Sequence, residues 1–425
     1  MPKYLSICLL LLLTACGGQE ADHASGISVI KVWAHAGQAP ERLILEQQAT
    51  RFNNSQADLQ VRLTFIPERS YNAQIQAAAV AGDLPDLLEF DGPFLFNYVW
   101  QQQLTPLDGL LSATTQEELL PSVFKQGRYL DRLYGVGTFD SGLGLFARHS
   151  ALANAGVRIP TTPEDAWTGT EFLSVLELLA SRDPDAMVLD LKLNYSGEWF
   201  TYAFSPLLQS AGGDLIDRSS YQSASGVLNG PGSVAAMRAV QQWFMHGYVD
   251  PNVDDAAFVA GRVPLSWAGH WEYPRYARAL GDDLALLPLP DLGQGSRTGQ
   301  GSWVWGITRT SKNQQAAAGF LEFLLKPDEV LAMASANGAV PATRTAIERS
   351  PLYGASGPLR LFTRQLQAGF GVPRPQTPAY PVISSAFQQA FTDIRNSGDI
   401  QSALDQAAAA IDQDIRDNKG YPTPD

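Results

Sequence analysis

The first ninety residues of the chain alternate between two hydrophobic patterns. Apolar and polar residues alternate with period two in ISVIKVW at 27–33 and LQVRLTF at 59–65, which predicts two strands. A helical spacing follows each of them, over 41–52 and over the alanine-rich stretch 71–81. The apolar segment at 84–90 predicts a third, buried strand. Strands that alternate with helices in this way predict an α/β fold with a mostly parallel sheet.

The later part of the chain is dominated by helical patterns. Apolar stripes at helical spacing predict helices over 231–247, 316–325, 383–394 and 400–415. The stretch 284–301 is rich in proline and glycine and is predicted to be a loop. We find no internal repeat, so a solenoid or another repeat architecture is not expected.

The composition is that of a globular protein, with 45% hydrophobic and 17% charged residues. A length of 425 residues is enough for two or three domains, each with its own core. The 30 Lys and Arg residues against 43 Asp and Glu residues give a net charge of −13. Because nucleic-acid affinity depends on Lys and Arg neutralising phosphates, we expect no nucleic-acid partner. An acidic surface favours a soluble monomer.

The N-terminus carries a targeting signal. A lysine precedes a short apolar run, and LTAC at 13–16 resembles the bacterial lipobox. In this interpretation residues 1–15 are a lipoprotein signal peptide, Cys16 receives the lipid, and the small polar residues 16–26 form a flexible tether. The alternative is an ordinary signal peptide with an incidental cysteine. Either way we expect export, and the lipobox predicts anchoring at the cell envelope, on the periplasmic or extracytoplasmic face.

Sequence motifs of common catalytic sites are absent. No P-loop, H-E-x-x-H or G-x-S-x-G motif occurs, and the five histidines never pair at metal-ligand spacing. We therefore expect no metal, no cofactor and no catalytic step. One enzymatic alternative stays open, because glycoside hydrolysis needs two placed carboxylates and Asp91, Asp140 or Glu272 could supply them.

Six short segments occur in order along the chain. They are AAAVAGDLPD at 77–86, LYGVGTFDSG at 133–142, AGGD at 211–214, FVAGRVPL at 258–265, GAVPA at 338–342 and RPQTPAYP at 374–381. Together they resemble the extracellular sugar-binding proteins of ABC importers, the maltose-binding-like group of solute-binding proteins. One departure is His270, which lies where the family more often has a proline.

The resemblance implies a two-lobed periplasmic-binding-protein-like fold of type II, with the ligand in a cleft between two α/β lobes. Residues 27–138 and 307–343 should form the first lobe, and residues 139–306 and 344–425 the second. The resemblance also implies that closure of the lobes traps a saccharide, and that ABC permease subunits in the membrane recognise the closed form.

Candidate ligand-binding residues combine the family positions with aromatic and polar residues near predicted strand ends, where α/β sheets bind ligands. They are Trp33, His35, Asp91, Asp140, Trp267, Trp271, Trp303, Arg374 and Tyr380. Flat aromatic rings suit the apolar face of a sugar, and the polar groups suit its hydroxyls. Core packing of the tryptophans, turn capping by the aspartates and a surface salt bridge of Arg374 are the structural alternatives.

The number of aromatic residues favours a di- or oligosaccharide as the ligand. Three other functions stay open at this point. The same fold could bind another polar solute, such as a sugar acid or a phosphorylated polyol. It could also present its closed form to a membrane sensor, or the chain could be a secreted carbohydrate-active enzyme.

Overall fold

The computed structural model describes residues 27–354 and 356–423. The predicted signal peptide at 1–15, the lipidated Cys16 and the tether at 16–26 lie outside the described residues. Within the described ranges, no helix has both the length and the apolar character needed to cross a membrane.

The strands follow one another along the described chain as β1 Ser28–His35, β2 Leu59–Ile66, β3 Leu87–Asp91, β4 Arg128–Tyr129, β5 Arg132–Leu133, β6 Phe139–Asp140, β7 Leu143–Arg148, β8 Leu189–Asp190, β9 Leu265–Gly269, β10 Leu284–Leu287, β11 Thr298–Gln300, β12 Trp303–Ile307, β13 Val340–Pro341 and β14 Gly371–Pro373. The helices are α1 Ala39–Asn54, α2 Glu68–Ala81, α3 Leu95–Trp100, α4 Ala113–Glu118, α5 Pro121–Gln126, α6 His149–Ala155, α7 Gly169–Ala180, α8 Glu198–Ser210, α9 Pro231–Met245, α10 Tyr273–Leu280, α11 Gln314–Leu324, α12 Pro327–Asn337, α13 Arg344–Arg349, α14 Arg360–Gln367, α15 Tyr380–Arg395 and α16 Ile400–Asp417.

The first lobe is built on a four-stranded sheet with the order β12-β3-β1-β2. Strand β1 runs parallel to β2 and β3, and β12 is antiparallel to β3. Ile30, Val32 and Ala34 alternate along β1, are fully buried, and pack with residues of α1 and α11. Gly82 ends α2 with a φ of 69°, a left-handed conformation that favours glycine. The predicted α/β architecture, with a mostly parallel sheet in this lobe, is confirmed.

The second lobe contains a mixed sheet with the order β10-β7-β9-β8. Strand β7 is antiparallel to both neighbours, and β8 is parallel to β9. Helices α8, α15 and α16 contribute to its core, where the rings of Phe204 and Phe391 stack with centroids 4.3 Å apart. The loop predicted over 284–301 was wrong at β10 and β11. The apolar run at 284–287 pairs with β7, and only the proline- and glycine-rich part between the two strands is irregular.

One predicted lobe boundary differs from the sheet topology. The boundary at 306/307 would divide β12, yet all five residues of this strand pair with β3 in the first sheet. The chain therefore enters the first lobe before Trp303. The boundaries at 138/139 and 343/344 stay predictions. Near them β6 pairs with β13, so that two passages of the chain run side by side.

Candidate functional site

A cavity of 410 Å³ lies between the two lobes, within the size range of small-molecule sites. A larger cavity of 1020 Å³ adjoins it, and the two share six lining residues. The predicted residues that line the first cavity are His35, Asp91, Trp271, Trp303 and Arg374. These side chains come from five separate segments of the chain and meet only in the folded protein.

Trp303 and His35 form an aromatic wall on the side of the first lobe. His35 ends β1 and Trp303 begins β12, so both lie at the same edge of the first sheet. Their rings stack with centroids 3.9 Å apart and planes 3° from parallel. Tyr71 of α2 meets Trp303 edge-on at 5.3 Å. These contacts fix the plane of the indole in the cavity wall.

His35 lies between two carboxylates. Its Nδ1 lies 2.7 Å from Oε2 of Glu89, and its Nε2 lies 3.7 Å from Oε2 of Glu41. Burial alone disfavours the imidazolium, but the two carboxylates outweigh burial and raise the pKa of His35 well above its usual value. Glu41, which lines the cavity, has a lowered pKa because His35 overcomes the effect of its burial. The charged side chains of this wall are therefore paired with one another.

Arg374 joins the two lobes. It follows β14, and its Nη1 donates to Oδ2 of Asp91, the last residue of β3, at 2.8 Å, while its Nη2 donates to the other carboxylate oxygen of Asp91. Nη1 also donates to Glu198, the first residue of α8, at 3.1 Å. Burial, followed by the negative charge of Asp91, raises the pKa of Glu198 to about 6. One guanidinium thus holds two carboxylates within the cavity wall.

Tyr380 lies one layer behind the wall. It begins α15, is fully buried, and donates its hydroxyl hydrogen bond to Glu198. Ser384, one turn later, donates to the other oxygen of the same carboxylate. The structure therefore places Tyr380 as a support for Glu198 and not as a lining residue of either cavity.

Trp271 forms the aromatic wall of the second lobe. A β-carbon at Gly269 would lie 2.1 Å from the indole ring, so the ring can occupy its position only because residue 269 is glycine. The indole Nε1–H donates to the hydroxyl of Tyr195 at 3.1 Å. Next to it, burial lowers the pKa of His270 to about 4, and the ring of His270 hydrogen-bonds the carbonyl of Asn337 at 2.8 Å. His270 is therefore a neutral polar group in this wall.

Three other predicted residues do not line either cavity. Asp140 is fully buried and accepts hydrogen bonds from the Ser141 amide at 2.8 Å and from Gln126. Trp267 is fully buried in the core of the second lobe. Trp33 packs against the core of the first lobe, because β1 continues for two residues beyond its predicted end and brings His35 to the sheet edge instead.

Residues that the sequence analysis did not select also line the first cavity. They include Glu198, Tyr195, Trp199, Tyr202 and Ser302. The Oγ of Ser302 is buried and has no hydrogen-bond partner among the described residues. The aromatic cluster EWFTY at 198–202 was the sequence signal that could have revealed α8 as part of the site.

The carboxylates considered for hydrolysis do not form a pair that faces the cavity. Asp91 is bound by Arg374, and Asp140 lies behind the wall. Glu272 is 2% exposed and bound by Arg275 and Tyr195. In the described ranges, no group of three or more His, Cys, Asp or Glu side chains is arranged to hold a metal ion.

Comparisons with known proteins agree with this architecture. An uncharacterized lipoprotein encoded in the oleD 5′ region of Streptomyces antibioticus is 22% identical over 418 residues, which cover 93% of this chain and 89% of the relative. The GacH receptor of Streptomyces glaucescens GLA.O superposes with a TM-score of 0.77 at 19% identity, over 92% of this chain and 98% of the receptor. The maltose/maltodextrin-binding domain MalE of Bdellovibrio bacteriovorus superposes with a TM-score of 0.77 at 18% identity, over 91% of this chain and all of that domain. These superpositions confirm the predicted two-lobed fold.

The family itself is shown by a sequence model. The model of the bacterial extracellular solute-binding proteins matches residues 47–356, well over half of the chain. The predicted family resemblance is thereby confirmed, and the chain belongs to the bacterial extracellular solute-binding proteins.

Proposed function

We propose that this protein captures an oligosaccharide between its lobes and delivers it to the permease of an ABC importer. The observation that carries the proposal is the pair of indole walls, Trp303 from the first lobe and Trp271 from the second, in one cavity with paired polar groups. Stacking surfaces combined with fixed hydrogen-bonding groups suit a pyranose ring. Two relatives support a sugar ligand, since the GacH receptor was crystallised with acarbose and the MalE domain with maltotriose.

The adjoining larger cavity supports a ligand of several rings. Its lining is rich in neutral amides and hydroxyls, which pair with sugar hydroxyls and carry no net charge. These groups are Asn72, Gln76, Asn97, Gln101, Ser196, Ser384, Ser385, Gln388 and Asn418. Because the two cavities share walls, a chain of sugar rings could run from the indole walls into this polar extension.

A neutral saccharide fits this cleft better than an anionic solute. Four carboxylates line the first cavity, namely those of Glu41, Glu68, Asp91 and Glu198. Three basic groups also line it: Arg374 is shared by Asp91 and Glu198, His35 lies beside Glu41, and Arg69 lines both cavities. The carboxylates outnumber the basic groups, so a phosphate or a sugar acid would meet an excess of negative charge. The charge distribution therefore favours the saccharide over a phosphorylated polyol or a sugar acid.

The anchoring part of the proposal depends on the N-terminus. A lipid on Cys16 and the tether over 16–26 would hold the protein at the envelope surface, within reach of permease subunits. The relative from Streptomyces antibioticus supports this arrangement, since it is a lipoprotein and 89% of its length matches this chain. In this scheme the protein acts as a monomer and returns its ligand chemically unchanged, unlike a carbohydrate-active enzyme.

The test is a thermal-shift screen of residues 17–425 against di- and oligosaccharides, sugar acids and phosphorylated polyols, followed by calorimetric titration. A neutral saccharide at about 100 times its dissociation constant should stabilise the protein by roughly 2.7 kcal/mol. Recovery of the unaltered sugar after incubation separates binding from hydrolysis. A panel in which only sugar acids or phosphorylated polyols stabilise the protein would overturn the saccharide assignment.

A further inference from the structure

We infer that Glu272 is a positioning residue for ligand binding, which sets the orientation of the Trp271 indole through the hydroxyl of Tyr195. This inference rests on the proposed function, because Trp271 is taken as a surface on which the sugar stacks. Glu272 itself does not line either cavity, so that any effect on ligand affinity must pass through its neighbours.

The three residues form a hydrogen-bonded chain with a single direction. The indole N–H of Trp271 can only donate, and it donates to the Tyr195 oxygen at 3.1 Å. The Tyr195 hydroxyl then donates to Oε1 of Glu272 at 2.5 Å. Burial, followed by the charge of Glu272, raises the pKa of Tyr195 well above its usual value, so the hydroxyl stays protonated as a donor. The carboxylate is therefore the terminal acceptor of the chain.

Basic side chains approach both carboxylate oxygens of Glu272. Arg275, one turn further along the chain, places its guanidinium 2.7 Å from Oε2 of Glu272. Lys192 is 1% exposed, lies 2.7 Å from Asp255, and has its ammonium 3.9 Å from Oε1 of Glu272. This cluster is buried at Glu272 and Lys192 and partly exposed at Arg275 and Asp255. It holds the Glu272 carboxylate, which in turn holds the hydroxyl that accepts from the indole.

The packing around Trp271 leaves the orientation of its indole to be set by the hydrogen bond to Tyr195. Gly269 presents no side chain to the ring, and the rings of Trp199 and Tyr202 approach it at 6.0 Å and 6.2 Å. These contacts confine the indole but leave its Nε1 edge without another partner among the described residues. The hydrogen bond to Tyr195 is therefore the contact that selects one orientation of the plane.

The experiment uses 5-fluorotryptophan in the purified protein and 19F NMR without ligand. The chain has nine tryptophans, and the signal of Trp271 is assigned by its loss in Trp271→Phe. In Glu272→Ala we expect the Trp271 signal to shift and broaden, and the tightest-binding sugar of the screen to bind about tenfold more weakly. Glu272→Gln retains an acceptor oxygen and should keep a sharp signal and most of the affinity.

Asp250→Ala is the matched control. Like Glu272, Asp250 is a 2% exposed carboxylate of the second lobe with an arginine partner, Arg262, and lines neither cavity. Unlike Glu272, it has no hydrogen bond to Tyr195. The Asp250→Ala variant should lose stability, while the Trp271 signal and the affinity for the sugar stay as in the wild type. Equal effects of Asp250→Ala and Glu272→Ala, or an unchanged Trp271 signal in Glu272→Ala, would overturn the inference.

Tyr195→Phe keeps the inference testable if Glu272→Ala does not fold. This variant removes only the hydroxyl and should disturb the Trp271 signal in the same way, whereas an unchanged signal counts against the inference. Because the NMR comparison needs no ligand, it is independent of the proposed function. A wild-type protein that binds no sugar would defeat the proposed function, and the orientation of Trp271 would still be decided by the spectra.

Discussion

Arg374 and Asp91 form a bidentate ion pair that connects the lobes across the candidate cleft. Arg374 is 5% exposed and Asp91 is 8% exposed, so the pair is withdrawn from water. The Asn97 side chain, which donates to the carbonyl of Pro378 at 2.8 Å, makes a second contact between the same two regions. The cleft residues thus stabilise this arrangement of the lobes through contacts of their own, in addition to offering groups to a ligand.

Removal of the Arg374 guanidinium should be strongly destabilising. Arg374→Ala leaves the buried Asp91 and the partly buried Glu198 without a cation, and we expect a loss of about 3–5 kcal/mol in the free energy of unfolding, measured by urea titration. Arg374→Lys should also lose stability, because an ammonium cannot bind Asp91 with two parallel hydrogen bonds.

Arg51→Lys is the control for the loss of a bidentate ion pair between an arginine and a carboxylate. Arg51 binds Glu329 through Nε at 3.0 Å and Nη2 at 2.5 Å, but its side chain is 45% exposed. Glu329 is 8% exposed, but the half-exposed arginine is screened by water, and Arg51→Lys should therefore lose less stability than Arg374→Lys. A loss in Arg374→Lys as small as that in Arg51→Lys would contradict the importance of burial at the cleft.

The raised pKa of Glu198 predicts a specific pH dependence of the free energy of unfolding. Since the pKa of Glu198 is raised to about 6 in the folded protein, its stabilising contribution is fully present below about 4.5 and is lost as the pH rises through 6. The difference in unfolding free energy between wild type and Glu198→Gln should therefore fall by roughly 2 kcal/mol over that window. Chemical unfolding at a series of pH values measures it. Glu46→Gln, on the exposed side of α1, is the control for the substitution itself.

The indole of Trp303 should contribute to ligand affinity, and the indole of Trp267 should not. Trp303→Ala removes a ring from the cavity wall and should weaken saccharide binding by at least about tenfold in calorimetric titration. Trp267→Phe alters the core of the second lobe and should lower the melting temperature without a comparable change in affinity. If Trp267→Phe weakened binding as much as Trp303→Ala, the division between wall and core would be wrong.

Local patterns were sufficient to predict the elements up to β3 and the helices α9, α11, α15 and α16, but not the other elements of the lobes. The alternation in β1 and the stripe of α15 each reflect one buried face, a property encoded by neighbouring residues. Strand β10 was missed because its run LALL has neither alternation nor helical length, and only pairing with β7 determines its structure.

The site was less predictable than the fold because its contacts join distant parts of the sequence. Glu198 and Arg374 are 176 positions apart, and no local pattern relates a helix start to a residue after β14. Trp267 and Trp271 are four residues apart in a similar context, yet one enters the core and the other the cavity wall. The sequence was sufficient to identify the residue types of a sugar site. Which indole lines the cavity depends on the side of β9 and of the following turn to which each ring points.

The outer end of the larger cavity predicts a dependence on ligand length. There Trp100 of α3 meets Tyr421 edge-on at 4.9 Å and donates its indole N–H to the carbonyl of Pro422 at 3.0 Å. Both rings line the cavity, and the contact joins the first lobe to the C-terminal segment.

If an oligosaccharide extends as far as Trp100, Trp100→Ala should weaken binding of the longer members of a series several-fold and leave the disaccharide unaffected. Calorimetric titration with di-, tri- and tetrasaccharides of the same sugar measures this, with Trp271→Ala as the control that weakens all of them. An equal loss for every length would show that Trp100 acts through the contact between the lobes, and no loss at any length would confine the ligand to the first cavity.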